Sequence, residues 1–88
     1  MISKDYTVTS TDGIHARPAT KLVRLAREYR SVISLKKGDR QVRLNSMLNV
    51  LTAGVKGGDT ITIIVEGEDE EAASAAIDQF LTEELKNH

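Results

Sequence analysis

Apolar residues recur with two different periods along this 88-residue chain, and each change of period marks an element. Residues 2–9 alternate, with Tyr6 and Val8 on one side, and predict a strand. Thr11-Asp12-Gly13 reads as a turn. From 16 to 29, Ala19, Leu22, Val23, Ala26 and Tyr29 return at helical spacing, while Arg17, Lys21 and Arg24 gather on the opposite side. Residues 32–36 and 41–44 predict two strands joined by the hairpin signal Lys37-Gly38-Asp39. A short helix is expected over 46–51, carrying Met47, Leu48, Val50 and Leu51. Asn45 and Ser46 are both good N-cap residues, and the pattern does not choose between them. Gly54 and Gly57-Gly58-Asp59 close that unit. The β-branched run 60–66 predicts a strand that Gly67 ends. Residues 69–85 set Ala73, Ala76, Ile77, Phe80 and Leu81 on one face of a second long helix.

The expected order is therefore β-α-β-β-α-β-α. Alternating strands and helices with one apolar face each predict an α+β fold, a two-layer sandwich of one sheet with its helices on one side. At this length a single domain spanning 1–88 is expected, without internal repeat, linker or low-complexity tract.

Composition removes several classes of function. There is no cysteine, so neither a disulfide framework nor a thiolate metal site can form. His15 and His88 are the only histidines, too few for a plausible zinc ligand set, and no metal or other cofactor is expected. No apolar run approaches the roughly 20 residues of a membrane span and no signal-peptide pattern opens the chain. A cytoplasmic location is expected.

Net charge is −1, but it is unevenly placed. Positions 17, 21, 24, 27, 30, 36, 37, 40 and 43 are basic, against Glu28 and Asp39 in the same stretch. From 66 to 84 there are acids and no base. One part of the surface should attract acidic partners and another repel them. Glu68, Asp69, Glu70 and Glu71 fall where a helix begins and are expected simply to complement its dipole.

The chemistry concentrates in Gly13-Ile14-His15-Ala16-Arg17-Pro18-Ala19-Thr20. An imidazole here stands where a glycine turn passes into a helix, whose first turn leaves backbone N–H groups unpaired at the positive end of its dipole. Neutral imidazole is a competent nucleophile near pH 7, its ordinary pKa being about 6.5. Nearby positive charge favours that neutral form. Once His15 carries a phosphoryl group, Arg17 and the helix N-terminus at Ala16 and Arg17 would meet its negative charge with charge-assisted hydrogen bonds. Pro18 lies within the first turn, where a missing N–H costs no intrahelical bond. A lone histidine before a helix is ordinarily a turn or cap residue. The conjunction of glycine, histidine, arginine and proline with a basic helical stripe favours a phosphorylation site. No second acid, base or serine can be placed beside His15, so a group carrier is expected rather than a substrate-turning enzyme.

That motif resembles the active-site signature of the HPr family, the histidine-containing phosphocarriers of the bacterial phosphoenolpyruvate-dependent sugar phosphotransferase system. The resemblance runs the whole chain and includes a second motif, Leu44-Asn45-Ser46-Met47-Leu48. It implies an open-faced sandwich of four antiparallel strands and three helices. It implies that His15 takes a phosphoryl group on Nδ1 from enzyme I and passes it to the IIA domains of sugar permeases, with Arg17 assisting. It also implies a monomer. In Gram-positive relatives the serine at the position of Ser46 is phosphorylated by an HPr kinase/phosphorylase, and the product binds a transcriptional regulator of catabolite repression. A phosphate at Ser46 would suit its own helix yet place roughly −1.5 to −2 charges beside Met47, Leu48 and Leu51. Where many such relatives have lysine before this serine and glycine three residues after it, this chain has Asn45 and Asn49.

A helix of about two turns cannot bury every side. Core is the default reading of Met47, Leu48 and Leu51, but part of this set is expected to be exposed. Together with Thr20, Lys21, Arg24, Arg27 and Asn49, and with Arg17, that part is the expected docking surface. The alternative is a small basic-faced nucleic-acid-binding or regulatory interaction module, since 17–43 could track phosphates. Against it, Tyr6, Tyr29 and Phe80 are the only aromatics, and an RNA-binding sheet needs exposed ones. No nucleic acid and no membrane insertion are expected.

Overall fold

The computed structural model describes residues 1–8 and 16–84 in backbone, and the side chains of 1–8 and 19–83. Its elements are β1 (Ile2–Thr7), α1 (Ala16–Ala26), β2 (Val32–Lys37), β3 (Arg40–Arg43), α2 (Met47–Thr52), β4 (Thr60–Glu66) and α3 (Glu70–Glu84). The strands form one antiparallel sheet in the order β1-β4-β2-β3, so β4, with its run of β-branched residues, lies inside the sheet.

Register decides which face is apolar. Ile33 pairs with Val65 and Leu35 with Ile63, while Tyr6 pairs with Ile61 and Leu35 with Val42. Directly paired residues share a face. This face packs against Ala19, Leu22, Val23 and Ala26 of α1, Val50 of α2, and Ala73, Ile77 and Leu81 of α3. The other face pairs Asp5 with Thr62, Lys36 with Thr62 and Ser34 with Arg43, and is left open. The fold is the expected open-faced α+β sandwich, a four-stranded antiparallel sheet with three helices on one side.

Several boundaries shift from the sequence reading. The first strand ends at Thr7, not at 9, because Val8 leaves the β1–β4 ladder: its N–H donates to the Asp59 carbonyl (2.8 Å) and its carbonyl accepts from Gly58 (2.6 Å). The first helix stops at Ala26 rather than at 29. Glu28 and Tyr29 donate to carbonyls three residues back, so the chain tightens there, and Tyr29 reaches the core from the turn. β2 runs to Lys37 and β3 starts at Arg40, which leaves Gly38-Asp39 as a two-residue hairpin loop with Gly38 at φ 58°. The second long helix begins at Glu70, one residue later than expected; the expected end at 85 lies outside the described residues.

Candidate functional site

His15 lies outside the described residues, as do the side chains of Ala16, Arg17 and Pro18. Described segments flank it on both sides. On one side Val8 is fully buried and tied by backbone bonds to Gly58 and Asp59. That loop is itself knitted together: Lys37 Nζ donates to the Gly54 carbonyl (2.7 Å) and pairs with the Asp59 carboxylate (2.9 Å). Lys56 N–H also donates to Asp59 (2.8 Å). The backbone N–H of Lys56 and the Lys37 ammonium hold the Asp59 carboxyl below the usual carboxylate range. On the other side α1 starts at Ala16, as expected, and is anchored within its first turns by buried Ala19 and Leu22.

The second motif sits against α1. Ser46, not Asn45, caps α2: its backbone is extended, and its Oγ accepts from Asn49 N–H at a long 3.5 Å. Asn45 has a different part. Its Oδ1 accepts from the Asn49 side chain (3.1 Å), so the two asparagines clasp each other across the first turn of α2. Arg27 Nη2 donates to the Asn45 carbonyl (3.0 Å), and Thr20 Oγ1 donates to Met47 Sδ (2.9 Å). These contacts lay α2 beside the basic side of α1.

Met47, Leu48 and Leu51, of which part was expected to be exposed, all reach solvent. They are 42%, 69% and 36% exposed, and Val50 alone of this helix is buried. Leu44 before the helix and Ala53 after it complete the buried contact, which turns the other apolar side chains outward. Lys21, Arg24 and Arg27 are exposed on α1, and Thr20 and Asn49 are half-buried. An apolar patch and a basic stripe thus share one corner. Among the described residues no cluster of His, Asp or Glu is placed to hold a metal ion, and no helix is long and apolar enough to cross a membrane.

The family model for the HPr component phosphorylation site of the phosphotransferase system matches residues 2–83. The chain belongs to the HPr phosphocarrier family. It is 40% identical over 83 residues to the phosphocarrier protein HPr of Lysinibacillus sphaericus, covering 94% of each chain. Its fold superposes on the histidine-containing phosphocarrier protein of a Mycoplasma with a TM-score of 0.90 at 33% identity, over 93% of both chains. HPr of Thermoanaerobacter tengcongensis gives 0.91 at 27% identity, over 100% of this chain and 99% of that one. In this HPr-family chain Tyr6, Tyr29 and Phe80 all pack against the core, which leaves no aromatic on the open sheet face for a stacked base.

Sequence reasoning missed a second polar centre. The Asp69 carboxylate accepts from the backbone N–H groups of Arg30 (2.8 Å) and Ser31 (2.9 Å) and from the Ser31 hydroxyl. Glu70 reaches back to Gly67 N–H (3.1 Å) and to the N-terminal ammonium (2.9 Å). The acidic run therefore does more than complement a dipole: two of its members bind specific donors, and both carboxyls are held below their ordinary pKa. For Asp69 the cause is the Ser31 hydroxyl and the Arg30 N–H; for Glu70, the N-terminal ammonium and the Gly67 N–H. The only sequence signal was an aspartate just ahead of a helix, which the dipole reading absorbed.

Proposed function

We propose that the chain is a cytoplasmic phosphoryl carrier that accepts a phosphoryl group on His15 from enzyme I and passes it to IIA domains of sugar permeases, without turning over a substrate of its own. The observation that carries this reading is the family match over residues 2–83, which includes His15 directly ahead of α1. In the transfer the neutral Nδ1 of His15 attacks phosphorus as the bond to the donor breaks, and the phosphoryl group leaves again by the reverse step. Arg17 and the unpaired N–H groups of the first turn of α1 hold its charge. Enzyme I and IIA domains dock on Arg24, Arg27, Met47, Leu48 and Leu51, where apolar area gives contact and positive charge steers acidic partners.

Ser46 is the regulatory position. A kinase that phosphorylates it places negative charge between the basic stripe and the apolar patch, which slows transfer to His15 and creates a form suited to a catabolite-control transcription regulator. The test is incubation with phosphoenolpyruvate and enzyme I, followed by intact mass. One phosphoryl group that is labile in acid and absent from His15→Ala supports the reading. No uptake with an active enzyme I refutes it.

A further inference from the structure

A cleft of about 230 Å³ opens between the turn after α1 and the junction of β3 with α2. Buried Ala26, Ile33 and Leu44 and half-buried Tyr29 are among the residues that line it. Around it stand Arg27, Arg30 and Arg43, and no carboxylate is among its lining residues. Three guanidinium groups about one cleft repel one another, and an anion between them reverses the sign of that interaction. Little inside the protein does this already. Arg30 meets Glu68 at 3.3 Å, but those side chains are 84% and 80% exposed, so water screens the pair. Arg27 uses one of its N–H groups on the Asn45 carbonyl, and a guanidinium has five. Arg43 forms no ion pair among the described residues.

We infer that this cleft binds a small free polyanion of the diphosphate class, held by the three arginine side chains. Guanidinium forks match phosphate oxygens in pairs. The backbone N–H groups of Arg30 and Ser31 are occupied by Asp69, so recognition falls to the side chains. The volume lies below the roughly 300–1,000 Å³ of sites for drug-sized ligands, which restricts the occupant to a compact molecule. Because Arg27 also holds the Asn45 carbonyl, an occupant that draws on Arg27 acts next to the cap of α2.

The test is titration of the ¹⁵N-labelled full chain, unphosphorylated, with pyrophosphate at low ionic strength. Expected are saturable shifts confined to residues 26–31 and 43–45. Arg43→Gln should weaken binding about tenfold, the loss of one charge-assisted contact. Arg40→Gln removes the same charge outside the cleft and should change affinity by less than about twofold. If Arg43→Gln does not fold by circular dichroism, Arg30→Gln is read in its place. Shifts that fail to saturate, shifts centred on residues 16–20, or equal weakening by Arg40→Gln would each overturn the inference.

Discussion

Two regions of the helical layer treat their polar and apolar groups in opposite ways. Where the turn after α1 meets the start of α3, Asp69 binds two backbone N–H groups and a hydroxyl, Ser31 is buried, and the backbone of Gly67 lies against Ser31. At the α1–α2 corner the cap bond is long, three large apolar side chains face water, and cations stand beside them. The first region consumes its hydrogen-bonding capacity internally and fixes the fold. The second leaves area and charge for other molecules. Stability should therefore respond to changes at the first region and association to changes at the second.

The largest effect on stability is expected at Gly67. A Cβ there would come 2.6 Å from Ser31 Cα, and φ of 156° is a backbone setting that side chains rarely adopt. Gly67→Ala should cost about 1–3 kcal/mol by urea unfolding. A wild-type midpoint in this variant would break the claim that close approach of backbones locks this region.

Acid sensitivity comes next. Asp59, Asp69, Glu70 and Asp78 are all held below their ordinary pKa, Asp78 by hydrogen bonds from the Lys4 ammonium (2.8 Å) and the Tyr6 hydroxyl (2.7 Å), so the folded state binds fewer protons than the unfolded one. Their contribution is present in full above the unfolded values of 3.8 and 4.5 and is lost as pH falls through the lower folded values. Asp69→Asn should lower the midpoint at neutral pH and flatten the acid limb of stability against pH. An unchanged acid limb would remove Asp69 from the account.

Smaller effects are expected at the corner. Ser46→Ala should cost about 0.5 kcal/mol, the low end for a lost cap, because the bond is 3.5 Å long. Leu48→Ser should change stability by no more than about 0.5 kcal/mol, since the side chain is 69% exposed, yet it should slow phosphoryl transfer from enzyme I. Charge reversal at Arg24 and Arg27 should slow that transfer most at low salt, where steering is least screened. A Leu48→Ser variant with lost stability and normal transfer would invert the comparison.

What could be read in the sequence was what neighbouring residues determine together. The β-branched run of β4 gave its bounds without error, because a strand paired on both sides is made of such residues. The apolar stripe of α1 was legible but overran to Tyr29, which keeps helical spacing although the hydrogen bonds have already tightened. For α2 the motif announced a cap, and the choice of Ser46 over Asn45 needed backbone geometry. Asp69 and the Lys37–Asp59 pair were illegible because their partners are distant in sequence and only the topology brings them together. The histidine motif was read from local order alone, and the family match carries it further.

The central claim is that the phosphoryl group resides on one nitrogen of one residue. The most direct measurement is ¹⁵N NMR of the imidazole rings after reaction with phosphoenolpyruvate and enzyme I. The expected result is a phosphorylated Nδ1 at His15 and an unchanged His88. Phosphate found on His88 or on Ser46, with the His15 ring unaltered, would contradict it.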